Sequence, residues 1–514
     1  MKIRLSIICF AFLSLTLFVG CPQSEKPAQP SADPAPSESA VGESAAPETP
    51  SDIPEMVASD VLSISIASPE TPPAVPETSP LAVPVAPEPV APPEPAATPP
   101  VVVPETPQPP QETPEETAVR ERVQQLGGTI QKNPAGRIIR IIIESNELTV
   151  EDVQKIGKLT DLESIRLQGP VVNDEYVEAL SGLTKLKSVD IENSSITDRS
   201  LEILKTLPDI TTLALRRNVG FTDRAVKLFA EFPKLTVLRI LYNGFSPMAL
   251  YDLEALSSVR VLDLRGLPVG DDTLLFLANL EHLEDLYIRG TVTNTGLVEL
   301  KKCKKLKTLE LQDADISPGC GEIFKEMESL RYLRVFRCDG LGARGISELG
   351  VVTQLDRLEL RAMSCSNEAL LALKPLVNLK IVEFSELSGV DSATIIEVLQ
   401  SYPKLENIRI FAIPVDDTVP VFLATLPGLT SVSLPATAIT DKGLDALTAL
   451  NLTLLDIHGN KERITLEGAK VLSKFVDLRR LIIPETLNDP ALREEILKNS
   501  PRCVFTVNTY TQEG

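Results

Sequence analysis

From Arg137 onward the apolar residues fall into a recurring Leu-x-x-Leu-x-Leu pattern. Its third apolar position is filled in turn by Ile143, Leu167, Ile191, Leu215, Ile240, Leu264, Ile288, Leu311, Val335, Leu360, Phe384, Ile410, Leu434, Ile457, Ile483 and Val507. Successive positions lie 23 to 26 residues apart. Two apolar residues separated by one other share a face of an extended chain, so each period predicts a short strand with one buried side. A turn and a helical stretch follow, as in "ITDRSLEILKTL" from Ile196 and "ITDKGLDALTAL" from Ile439. Thr197 and Thr440 stand where an N-cap is needed, and Asp198 and Asp441 suit the first turn. Pro208, Pro233, Pro403, Pro427 and Pro501 come at the far end of the helical stretch, where they stop it and turn the chain into the next strand. A unit of this size cannot bury its apolar face alone; stacked copies can.

This phrase resembles the leucine-rich repeat. It is similar to bacterial envelope proteins of the planctomycete type, which share "T-x-I-T-D-x-G-L-x-x-L", seen best here from Thr437 to Leu447. It is also similar to the ribonuclease-inhibitor and F-box class of repeats. The resemblance implies an α/β solenoid, a horseshoe of about 16 repeats over residues 137–489 with a parallel concave sheet and a helical convex side. It also implies a ladder of polar side chains three residues past the strand, bonding the neighbouring loop. Asn146, Asn218, Asn243, Cys338, Thr437 and Asn460 occupy that position, while Ala314, Met363 and Ile413 interrupt it. Residues 118–136 are expected to form an N-terminal cap, with a helix over Val119–Ile130 closed by Gly127-Gly128. Residues 490–514 are expected to cap the other end, since a bare solenoid end exposes apolar surface and a strand edge.

The N-terminal part is of another kind. Lys2 and Arg4 precede an apolar run from Leu5 to Val19, too short for a comfortable membrane span and typical of an export signal. The sequence Leu17-Phe18-Val19-Gly20-Cys21, closing the signal segment 1–21, resembles a lipoprotein signal, which implies cleavage after Gly20 and acylation at Cys21 as the new N-terminus. The chain is then expected to be exported and held at the cell envelope by its lipid alone, facing the periplasm or the cell surface. Residues 22–117 read as a proline-rich tether. Of the 42 prolines, 26 fall between Pro22 and Pro114. That density blocks helix and sheet alike and predicts an extended, self-repelling spacer. One proline-free stretch, Met56–Ser68, alternates Leu62, Ile64 and Ile66 with serines in a short strand-like pattern.

Charge and rare residues narrow the function. The net charge is −21. Residues 1–21 carry +2 and residues 22–118 carry −15, which leaves −8 for 119–514. No broad basic footprint for nucleic acid is present. His282 and His458 lie seven repeats apart and cannot converge on a metal or a substrate. Cys303, Cys320, Cys338, Cys365 and Cys503 form no Cys-x-x-Cys pair and read as small buried residues. Asp271-Asp272 and Asp416-Asp417 sit at helix starts and read as caps. No phosphate loop or nucleophile elbow appears, so neither a cofactor nor catalysis is expected.

The strand residues flanking the buried pair point to the concave face. They are Arg216, Arg239, Tyr242, Arg265, Tyr287, Arg289, Tyr332, Arg334, Phe336, Arg361, Arg409 and Phe411, interleaved with Asp263, Glu310 and Glu359. Arg and Tyr are the side chains that anchor interfaces. Arg239, Arg265, Tyr287, Arg289, Tyr332, Arg334, Phe336 and Arg361 are therefore the candidate partner-binding residues, expected to be exposed. Their positive centre would suit an acidic protein, with an anionic glycan or the chain's own acidic tether as alternatives. The competing class is a structural envelope protein that only spaces or self-associates, its Arg and Glu serving solubility. A proline-rich segment before the repeats leaves no room for an F-box, which excludes that adaptor role.

Overall fold

The computed structural model describes residues 112–460 and 463–508. The signal segment, Cys21, the tether up to residue 111 and the Met56–Ser68 stretch lie outside the described residues. Within them the chain is a single sheet of seventeen strands backed by helices. The first strand, Thr129–Lys132, runs antiparallel to Ile138–Glu144. From there each repeat's strand pairs in parallel with the next, ending at Val504–Asn508. The fold is an α/β solenoid of the leucine-rich-repeat horseshoe class.

Register makes this architecture regular. Leu286 pairs with Leu309 and Ile288 with Leu311, so equivalent positions of successive repeats stand side by side. Parallel neighbours are about 4.8 Å apart, and each column of like residues becomes a continuous row. From Ile143 to Ile457 the third apolar position is fully buried in every repeat, Ile483 is 1% exposed, and Val507 in the last strand is only partly covered.

Two further ladders tie the repeats together. Thr197, Thr293 and Thr440 cap their own helices, Asp198–Leu204, Asn294–Glu299 and Asp441–Leu447. The aspartate at the helix start turns to the following repeat. Asp198 accepts from the backbone and hydroxyl of Thr222, Asp271 from those of Thr293, Asp417 from those of Thr440, and Asp441 from those of Thr465. The Thr-Asp phrase is thus one cap for its own helix and one clasp for the next.

On the strand side, Asn218 donates to the Ile191 carbonyl and accepts from the Ser194 amide. Asn243 and Asn460 repeat the arrangement at the Leu215 and Leu434 carbonyls. Cys338 takes the same place with a weaker sulfur contact to the Leu311 carbonyl. Asn146 is exposed and stands outside this ladder, because no repeat precedes it to receive the bond.

The N-terminal end differs from expectation, whereas the strand around Val507 falls where the pattern put it. The cap helix spans Pro114–Gln125, starting five residues before Val119. Thr113 and Glu116 form a capping box around it, and Pro114 occupies a first-turn site that needs no amide donor. Pro114 therefore opens the folded part instead of closing the tether. Val119 and Val123 face the core, and Arg122 grips Asp152 at 3.0 Å. At the far end, Pro490–Asn499 is a helix, but Val504–Asn508 extends the sheet as one more repeat strand.

The phase assigned to the repeat has an energetic test. Leu286 and Leu309 are 0% exposed neighbours in adjacent repeats. Replacing either by Ala should cost about 2–5 kcal/mol through lost transfer energy and the cavity left behind. Urea titration should show it; a change under about 0.5 kcal/mol, the range of surface substitutions, would contradict the phase.

Candidate functional site

The register turns the concave face into three rows. The middle one runs Arg166, Asp190, Ala214, Arg239, Asp263, Tyr287, Glu310, Arg334, Glu359, Glu383, Arg409, Ser433, Asp456. Acids and bases largely alternate along it. Arg334 lies between Glu310 at 3.2 Å and Glu359 at 3.3 Å, and its side chain is only 11% exposed. Arg265 bonds Asp263 at 2.8 Å and Glu310 at 3.2 Å. Arg409 reaches Asp456 at 3.0 Å and Ser433 at 2.7 Å.

Four of the candidate binding arginines thus differ from the exposed grips expected. Arg265, Arg289, Arg334 and Arg361 each hold a carboxylate of the chain itself, and Phe336 is buried. A strand spacing near 4.8 Å places an acid of the neighbouring repeat within bonding reach of each guanidinium. The centre of the face is accordingly not a positive patch. Arg239, Tyr287 and Tyr332 are half-buried.

Electrostatics follow from this packing. Burial pushes the Tyr287 phenol up to about 12, with Asp285 and Glu310 adding to the effect. Glu359 is raised by burial and by Glu383 directly opposite on the next strand, against the pull of Arg357 and Arg334. For Arg334 burial works against the charge, but Glu310 and Glu359 more than offset it. Aromatic rings are layered into the same lattice. Arg357 stacks 4.1 Å from the Tyr332 ring centre, and Arg361 lies 4.8 Å from that of Phe336 and 5.9 Å from that of Phe411.

A second set of residues was not apparent from the pattern, apart from Tyr242, which was read as an outward strand residue and lies in the turn after the strand. The residue two past the third apolar position adopts a left-handed backbone in most repeats. Asn193, Arg217, Tyr242, Asp313, Arg337, Ala362, Glu386, Ala412 and Ala436 all have φ between 51° and 54°. Glycine at 266 and 459 does the same at less cost. Gly266 is required for a second reason: a Cβ there would stand 2.2 Å from the Tyr242 ring. This turn-side crest is continuous. Arg217 sits 5.2 Å from the Tyr242 ring centre, Arg289 donates to the Tyr242 hydroxyl at 3.3 Å, and Asp313 joins Arg289 to Arg337, each at 2.6 Å. Burial alone would raise Asp313, yet Arg337 and Arg289 bring it below the usual carboxylate range. The available signal was the presence of large side chains at a turn position that glycine or asparagine fills more easily.

The remaining chemistry-bearing residues are placed structurally. Asp456 is 1% exposed and meets His458 Nδ1 at 2.6 Å. The Ser433 hydroxyl donates to the other oxygen of Asp456 at 2.8 Å, not to His458, so this trio lacks a nucleophile–base pair. His282 is exposed beside Lys305. The five cysteines among the described residues are buried; burial pushes Cys303, Cys365 and Cys503 up to about 11 and Cys320 and Cys338 to about 12. Among the described residues no group of three acids, histidines or cysteines is arranged for a metal, and no helix is long and apolar enough to cross a membrane.

Comparison with known proteins gives no matching family model and no matching curated sequence. Similar solved structures include an internalin of Listeria monocytogenes, at 18% identity over 66% of this chain and 94% of that one, with a TM-score of 0.39. A chain of the yeast Rad7 and Elc1 complex is 16% identical over 58% and 81%, with a TM-score of 0.44. A leucine-rich-repeat protein of Leptospira interrogans is 17% identical over 68% and 91%, with a TM-score of 0.34.

The central lattice predicts a contrast in stability. Arg334→Ala takes from Glu310 and Glu359, which are 4% and 5% exposed, the arginine they share, leaving them Arg265 and Arg357 respectively. Breaking a buried pair in this way should cost about 3–5 kcal/mol. Arg199→Ala removes an ion pair to Glu178 in which both side chains are more than half exposed, and should change stability by less than about 1 kcal/mol. Chemical denaturation of the two variants side by side checks the difference.

Proposed function

We propose that this chain is a non-enzymatic recognition module, held at the cell envelope by a lipid on Cys21, that binds a protein partner on its concave face. One observation carries the reading. Tyr287, Tyr332, Phe336 and Phe411 lie across the six adjacent strands from the Ile288 repeat to the Ile410 repeat, each within about 6 Å of an arginine. Phe336 and Phe411 are buried under the face, and the half-buried Tyr287 and Tyr332 with their arginines are the anchors that support a binding surface. Rings and guanidiniums already fixed by their neighbours lose little freedom on contact, which favours affinity. Among the described residues no acid, base and nucleophile converge.

A second reading has its own support. The concave arginines are largely satisfied by internal carboxylates, as expected of a sheet that only spaces other components. Affinity capture from envelope extract of the source cells separates the two, using the wild type and Tyr287→Ala with Arg361→Ala. Recognition requires a discrete protein retained by the wild type and weakened at least about tenfold by the paired substitution. Recovery of nothing but copies of the chain favours the structural role.

The anchor is tested separately. Cys21→Ala should leave the precursor unprocessed or release the protein from the membrane fraction. Unchanged processing and fractionation would remove the lipid from the proposal.

A further inference from the structure

The recognition reading leaves open where on the face a partner is gripped and what chemistry it presents. We propose that the grip is the turn-side crest from Arg217 to Arg361, and that its ligand is an extended acidic segment of a protein. This deepens the recognition reading and rests on it.

Charge divides across the face. In the last strand row and the crest, between residues 216 and 386, Arg216, Arg217, Arg265, Arg289, Arg337 and Arg361 stand against Asp313 and Glu386, together with Glu192 of the preceding repeat, which holds Arg217 at 3.3 Å. One step inward, over the same repeats, Asp263, Glu310, Glu359 and Glu383 stand against Arg239 and Arg334. A partner carboxylate therefore meets net positive charge at the crest and net negative charge in the middle row. The crest is also the accessible part. Arg217 is 46% exposed and Arg337 37%, against 11% for Arg334. Asp313 is shared by two arginines, Arg289 and Arg337.

Backbone strain points to the same residues. Asn193, Gly266 and Gly459 show that the left-handed turn needs no large side chain. Arg217, Tyr242 and Arg337 are bulky L-residues held in that conformation, a costly arrangement that persists where surrounding structure enforces it and that concentrates at functional positions. Tyr242 fixes Arg217 through its ring and Arg289 through its hydroxyl, which sets two guanidiniums in place before any ligand arrives. Arg217 and Arg337 are five repeats apart, about 24 Å at the strand spacing. An extended chain covers that distance with about seven residues. A segment lying across the repeats, perpendicular to the strands, would bring alternate carboxylates to the crest, each able to meet a planar guanidinium.

The probe is a fluorescein-labelled decaglutamate peptide titrated into the full-length chain at low salt, read by anisotropy. R217E/R337E is compared with K227E/K442E, which makes the same charge change at exposed lysines of the helical side. The crest pair should weaken binding at least about tenfold more than the control pair, and wild-type affinity should fall steeply with salt. R217Q/R337Q keeps similar side-chain volume and should show the same order, which covers the case in which the glutamates disturb Asp313 and the turn. No binding by the wild type, or equal loss in both pairs, overturns the crest. Envelope capture distinguishes the two ideas. A discrete partner whose binding ignores the crest substitutions leaves the recognition reading standing and sinks this inference. Decaglutamate bound at the crest while envelope extract yields only self-contacts sinks the recognition reading instead.

Discussion

The in-register pairing of parallel strands governs this molecule. Every strand from Ile138 onward meets its neighbour with equivalent residues opposite one another. A chain that returns to the same position every 23 to 26 residues must then satisfy each position against a copy of itself. Apolar positions do this easily, since leucine packs on leucine. Polar positions cannot: like charges at this spacing repel and identical donors leave each other unpaired. The middle concave row shows the solution over most of its length, with acids set beside bases; Glu359 and Glu383 face each other and are flanked by Arg334, Arg357 and Arg409. The convex edge shows another, in which a threonine donates to the aspartate before it.

This explains which features could be read from the chain alone. The buried phase was legible because one apolar column repeated through sixteen periods has a single packing solution, and residues such as Leu286 and Ile288 proved wholly buried. The threonine caps were legible because a cap is local. The partners of Arg334 were legible only as acids interleaved with it, since Glu310 and Glu359 lie a full repeat away on either side and the register is what brings them within 3.3 Å. An outward strand position was taken to mean exposure, whereas a parallel stack covers outward side chains with those of its neighbours. Pro114 misled for a related reason. In a proline-rich run it has the composition of the spacer, and only the capping box behind it marks it as the first residue of a helix.

The crest escaped the pattern because it is defined by conformation, not by hydropathy. Residues as different as Arg217, Tyr242, Asp313 and Glu386 share one backbone geometry and nothing else. What they have in common is the place where the chain leaves the sheet. Their amides continue the hydrogen-bond ladder one step past the strand, as when Arg217 donates to the carbonyl of Leu241 and Arg337 to that of Arg361. The backbone is therefore held by its neighbours and the side chain is left to vary.

The alternating middle row also limits how the length of the protein can change. A solenoid is usually free to gain or lose whole units, since each touches only those beside it. Excision of the unit carrying Arg334 would leave the apolar columns continuous but set Glu310 directly against Glu359, both buried. Glu359 already faces Glu383, so a duplicated Glu359 unit would set three carboxylates in a row. Through this stretch the array behaves less like a string of interchangeable beads than like a sequence with parity. Viable insertions and deletions should come as balanced pairs of units, or in the turn-to-helix connections where the ladder does not count.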